Sequence, residues 1–149
     1  MIVKRFFEPL IAQNSYLIGC SAAGEAIVID PHRDIQQYID AAESAKLRIS
    51  HITETHIHAD FASGARELAQ RTGASLCLSD EGDASWKYLF PHDRKLIHGD
   101  RMTIGNVKVD VVHTPGHTPE HIIFMITDGA VRSEEHTSEL QSRFGISYA

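Results

Sequence analysis

A chain of 149 residues, 42% hydrophobic and 23% charged, can bury one core but has no room for a second complete domain. Its net charge of -6, with lysines and arginines scattered rather than run together, excludes nucleic acid as an expected partner. No apolar stretch is long enough for a signal h-region or a membrane span, and Cys20 and Cys77 lack C-x-x-C pairing, so the chain reads as cytoplasmic with two reduced, buried thiols.

In chain order, residues 2–7 and 15–19 predict short strands, and Ala26-Ile27-Val28-Ile29 predicts a buried one ended by Asp30-Pro31. Asp34 is placed to cap a helix whose Ile35, Tyr38, Ile39 and Ala42 share a face. Arg48 to Thr55 is rich in β-branched residues and predicts a strand. After Asp60 a second helix is expected to run to about Thr72, with Phe61, Ala65, Leu68 and Ala69 on its apolar face and Gly73 closing it. A short strand at 76–78 and a loop over 79–95 follow. From Lys95 onward hairpins are expected: 95–98, 102–104, the alternating Val107, Val109 and Val111, and 122–126. Strands mixed with helices and then hairpins give an α/β class with a mixed sheet.

The last stretch, RSEEHTSELQSRFGISYA, has no apolar period and reads as a solvated tail. It also resembles the in-frame translation of a common sequencing adapter. Residues 1–131 are therefore taken as the domain and 132–149 as a non-native tail, which leaves the fold incomplete at its C-terminal side.

Histidine is over-used, with ten residues, and the informative ones fall in two short stretches. In His56-Ile57-His58-Ala59-Asp60, imidazoles at i and i+2 point to one side of an extended segment and can share a cation. A third nitrogen is needed to enclose it, and His117, aimed by Pro115-Gly116, is the candidate. Asp60 is placed to bind a second metal or to orient a histidine. His113 and His121 flank the second stretch, either as substrate-side groups or as ordinary loop histidines. Asp30 reads either as a turn cap or as a site residue, and His51 reads as structural.

Thr55-His56-Ile57-His58-Ala59-Asp60 with Thr114-Pro115-Gly116-His117-Thr118 resembles the H-x-H-x-D-H motif and distal histidine of the metallo-β-lactamase superfamily. The resemblance implies an αββα sandwich. The wording THIHADFASGARELA and HTPGHTPEHI is most similar to the persulfide dioxygenase branch, some of whose members are fused to a rhodanese domain. One departure is informative: Phe61 stands where the motif has its last histidine, a ligand of the second metal in di-zinc hydrolases, and a phenyl ring cannot ligate. The resemblance therefore implies one Fe(II), held by His56, His117 and a carboxylate beyond residue 131, acting on a small thiol or persulfide substrate with dioxygen to give sulfite and thiol. Asp128 lies too close behind its strand to be that carboxylate. Without that third ligand, the chain as written is expected to be inactive. The alternatives are a glyoxalase II-like zinc thioester hydrolase of the same fold and a catalytically inert metal-binding fragment.

Overall fold

The computed structural model describes residues 1–129 and 144–146. Among the described residues, ten strands and two helices are ordered β1 (Ile2–Glu8), β2 (Gln13–Cys20), β3 (Glu25–Ile29), α1 (Gln36–Ser44), β4 (Arg48–Thr53), α2 (Ala65–Thr72), β5 (Ser75–Ser79), β6 (Arg94–Leu96), β7 (Arg101–Ile104), β8 (Val107–His113), β9 (Ile122–Asp128) and β10 (Phe144–Ile146).

Two sheets result. The first runs β1-β2-β3-β4-β5-β6, antiparallel through its first three strands and parallel from β3 to β6; the second runs β10-β9-β8-β7 and is antiparallel throughout. The period-2 alternation of strand side chains sorts the core into two layers. Leu17, Val28, Ile52 and Leu76 face α1 and α2, where they pack on Tyr38, Ala42 and Leu68. Ile18, Ile27, Ile29, Cys77 and Leu96 face the second sheet and meet Met102, Ile104, Val109, Phe124 and Ile126. Both cysteines are free and buried in this second layer, with Cys77 fully enclosed. Both helices described lie on one side, so the described residues give the helix, sheet and sheet layers of the expected αββα sandwich.

Three differences from the sequence reading have physical reasons. The N-cap of α1 is Ile35 rather than Asp34. The Asp34 carboxylate instead accepts the Gln36 amide, and its carbonyl accepts from the Gln37 side chain, so the acid caps the turn ahead of the helix. The second difference is the start of α2, at Ala65 and not directly after Asp60. Gly64 must first pass so close to His32 that a Cβ there would lie 2.1 Å from the His32 carbonyl oxygen, and this approach is secured by the Gly64 amide donating to the Pro31 carbonyl. Phe61 consequently sits in a loop, off the helix face expected for it. The third difference is Arg94–Leu96, which does not open the hairpin sheet but pairs parallel to β5 at the edge of the first sheet. Within the segment read as a tail, Phe144–Ile146 pairs antiparallel with β9, and the rest of that segment lies outside the described residues. No helix among the described residues is long and apolar enough to cross a membrane.

Candidate metal centre

The parallel strands β3 and β4 end side by side, and their exits build the site. Asp30 follows β3 with φ of 52°, in the left-handed region that costs a non-glycine residue energy. That strain turns its carboxylate, 5% exposed, onto the segment that leaves β4. Oδ1 accepts the Thr55 amide at 2.7 Å, Oδ2 accepts the Thr55 hydroxyl at 2.9 Å, and Oδ1 also meets His58 Nε2 at 3.0 Å. Asp30 is thus an organiser of the histidine segment, which decides between the two readings left open for it.

These bonds fix which ring nitrogens are free. The Thr55 hydroxyl gives its proton to Asp30, so it accepts from His56 Nδ1 at 2.9 Å and leaves His56 Nε2 with its lone pair. His58 uses Nε2 on Asp30, which leaves Nδ1. A carboxylate that sets imidazole tautomers from behind is the usual support of a metal-ligating histidine.

The distal loop arrives from the second sheet. Its base is tied to the first sheet by the Ile122 amide, which donates to the Thr55 carbonyl at 2.8 Å, and by the Ser79 hydroxyl, which donates to the Glu120 carbonyl at 2.7 Å. His56 then has its ring centroid 4.1 Å from that of His58, 4.8 Å from His117 and 5.3 Å from His121. These four histidines, with Asp30 and Asp60, line one cavity of ≈ 250 Å³. A larger open groove of ≈ 660 Å³ runs along α2 and lacks such a convergence.

Burial, and then the like charges of His58, His121 and His117, lower the pKa of His56 to about 4. His121 is lowered too, chiefly by burial, and its Nδ1 bonds the Thr114 carbonyl. Burial also pulls His58 down, but the hydrogen bond and charge of Asp30 outweigh it, so the net shift is upward. The site therefore presents neutral imidazole on the His56 side, the form a cation requires. Among the described residues no group of three or more histidine, cysteine, aspartate or glutamate side chains is arranged to hold a metal ion. The convergent histidines supply donors of the right chemistry for part of a divalent-metal set.

The structure brings His56, His58, His117, His121 and Asp60 to one cavity, but not His113, whose Nε2 bonds the Pro119 carbonyl at 2.8 Å and whose Nδ1 faces Glu81 at 3.6 Å. His51 is half-buried within β4 and bonds Ser50. Asp128 is at the opposite end of β9, where it accepts from the N-terminal amine at 2.7 Å. Phe61 packs its ring 4.4 Å from His58 and 5.9 Å from His32, so the position after Asp60 is filled by apolar surface. Sequence reasoning missed two buried acids beside the histidines, Glu54 and Glu120, at 3% and 0% exposure. Burial raises Glu54 above the usual carboxylate range, and the Ser63 hydroxyl partly offsets this. The signal for Glu54 was its place directly ahead of Thr55-His56, and for Glu120 its place beside His121.

A family model for the metallo-beta-lactamase superfamily matches residues 9–131. A hydroxyacylglutathione hydrolase from Rhodospirillum rubrum is 37% identical over 116 residues, covering 77% of this chain and 43% of that protein. Among solved structures, a metallo-beta-lactamase from Staphylococcus aureus is 47% identical with a TM-score of 0.82, over 86% of this chain and 39% of that one. ETHE1 from Myxococcus xanthus is 28% identical with a TM-score of 0.76, over 85% and 54%. The chain spans about half the length of the curated relatives it matches.

Proposed function

This chain belongs to the metallo-beta-lactamase superfamily, and from that premise we propose that it carries the histidine half of a mononuclear Fe(II) site that oxidises a glutathione persulfide to sulfite and thiol. The observation that carries the reading is Phe61. Its ring lies against His58 at the position where a dinuclear hydrolase of this motif needs an imidazole, so a second metal has lost a donor and gained an apolar neighbour. Two histidines and one carboxylate are the set that leaves positions open on iron, and when bound the ion supplies activation of dioxygen next to the substrate sulfur.

The chain's own part is to hold and orient. His56 Nε2 and His117 are the proposed ligands, with His58 Nδ1 and Asp60 beside them and a carboxylate beyond residue 131 of the full-length protein completing the set. Asp30 keeps the His56 and His58 rings in fixed tautomers through Thr55 and through its own oxygen. His56 remains neutral to about pH 4, so its lone pair is available across the physiological range. His121, neutral and buried on the cavity wall, is the proposed substrate-side group. The cavity would take a small thiol or persulfide, and glutathione as its carrier agrees with the name of the Rhodospirillum rubrum relative.

That same name favours a second reading, a zinc thioester hydrolase. Metal analysis of the full-length gene product, combined with oxygen uptake on glutathione persulfide and hydrolysis of an acyl-glutathione, separates the two, while the 149-residue chain is expected to turn over neither substrate. One iron with oxygen uptake is expected; two zincs with thioester hydrolysis would replace the dioxygenase by the hydrolase. The third reading, an inert metal-binding fragment, predicts binding without turnover on either substrate.

A further inference from the structure

The histidine segment is held from a second side by a residue outside the ligand set. Ile57, the residue between His56 and His58, donates its amide to Glu120 Oε1 at 2.7 Å, across 63 positions of sequence. Glu120 is fully buried, its carbonyl accepts from the Ser79 hydroxyl at 2.7 Å, and its Cβ is packed so closely on Gly82 that a side chain there would meet it at 3.2 Å. The carboxylate is therefore immobilised at its root. Its other oxygen, Oε2, is buried without a hydrogen-bond partner.

A buried carboxylate costs several kcal/mol to desolvate, and leaving one oxygen without a donor adds to that cost. A neutral side chain would avoid this cost, so stability gives no reason for the acid. Geometry gives one. The Ile57 N–H belongs to the peptide plane that joins His56 to Ile57, and rotation of that plane swings both imidazoles relative to Asp30 and His117. A charged acceptor grips an amide roughly twice as firmly as a neutral one. Glu120 is also three residues beyond His117, so a single side chain ties the two histidine loops to each other.

We propose that Glu120 is a positioning residue: its carboxylate clamps the Ile57 peptide and so sets the mutual orientation of His56, His58 and His117. The consequence for metal affinity rests on the metal reading given above; the clamp itself does not.

The experiment uses the 149-residue chain and the variants Glu120→Gln and Glu120→Leu. In the metal-free proteins, hydrogen exchange is followed at Ile57 against Val28 as a reference for global opening, and the ring nitrogen shifts of His56 and His58 report their tautomers. Cobalt(II) alone is then titrated and its visible absorption recorded. The leucine variant should exchange Ile57 faster relative to Val28 by about tenfold or more, show averaged tautomers, and bind cobalt about 10–100-fold more weakly. The glutamine variant, which keeps an acceptor for Ile57 but loses the charge, should fall between wild type and the leucine variant in all three. Unchanged Ile57 exchange or unchanged tautomers in the leucine variant would overturn the proposal. Should that variant not fold, the glutamine protein decides: faster Ile57 exchange relative to Val28 in a folded protein supports the clamp, and exchange and tautomers identical to wild type overturn it. A wild type that takes up no cobalt but whose Ile57 exchange and histidine tautomers depend on Glu120 refutes the metal reading and leaves the clamp standing.

Discussion

Asp30 shows how much one buried carboxylate can organise. It is bound to Thr55 twice and to His58 once, and removing it leaves His58 without its partner in a place where water is scarce. Asp30→Ala should therefore cost about 3–5 kcal/mol, the range for breaking a buried pair, and should release both ring tautomers. Urea unfolding measures the first effect and ring nitrogen shifts the second; a loss below 1 kcal/mol on the order of a surface pair would contradict the role given to it.

The histidines also fix a pH response whose sign can be worked out. His56 falls from 6.5 in the unfolded chain to about 4 in the folded one, so below 6.5 the unfolded state takes up the proton first. Its contribution to stability is present above 6.5 and is lost as pH falls from 6.5 to about 4. His32, His51 and His121 are lowered, mainly by burial, and act with the same sign. His58 is raised and opposes them, contributing stability below its ordinary pKa that disappears as pH rises through its folded value. The expected result is a melting temperature that drops between pH 6.5 and 4, with a smaller drop in His56→Asn. An equal drop in that variant would assign the effect elsewhere.

At the scale of elements, two glycines that look alike in sequence differ sharply. Gly73 ends α2 in the left-handed region with φ of 68° and open space around it, so Gly73→Ala costs only the backbone penalty of about 1–2 kcal/mol. Gly64 has no positive φ, but an added Cβ would strike the His32 carbonyl at 2.1 Å and Ile35 Cγ2 at 2.7 Å. Gly64→Ala must push α2 away from the loop carrying His32, and it should be the more damaging of the two in thermal unfolding. These elements also show what could be read in advance. Helix periodicity and β-branching placed α1, β3, β4, β8 and β9 well, because those signals are local. The delayed start of α2 and the parallel pairing of Arg94–Leu96 were not legible, because each depends on a neighbour remote in sequence. For the site, the H-x-H pair was legible because residues two apart reach the same cavity, although β4 ends at Thr53 and both histidines lie in the loop beyond it. The clamp by Glu120 was not, since its partner lies 63 positions away.

For the whole molecule, the layering explains why the site is at one end of the sandwich. Strands β3 and β4 run parallel, so both exits fall at the same edge, and the distal loop between β8 and β9 reaches that edge from the facing sheet. Truncating the inter-sheet core should therefore loosen the approach of the two loops as well as the fold. Phe124, fully buried between the sheets, is the test: Phe124→Ala should cost about 3–5 kcal/mol in urea unfolding.

The two cysteines follow from that same layering, since Cys20 and Cys77 point into the space between the sheets, at 4% and 0% exposure. A molecule proposed to handle reactive sulfur thus keeps its own sulfur away from solvent and from the cavity that would hold the substrate. Alkylating reagents should label them only when the sheets part, so the rate of labelling becomes a clock for the opening of the sandwich.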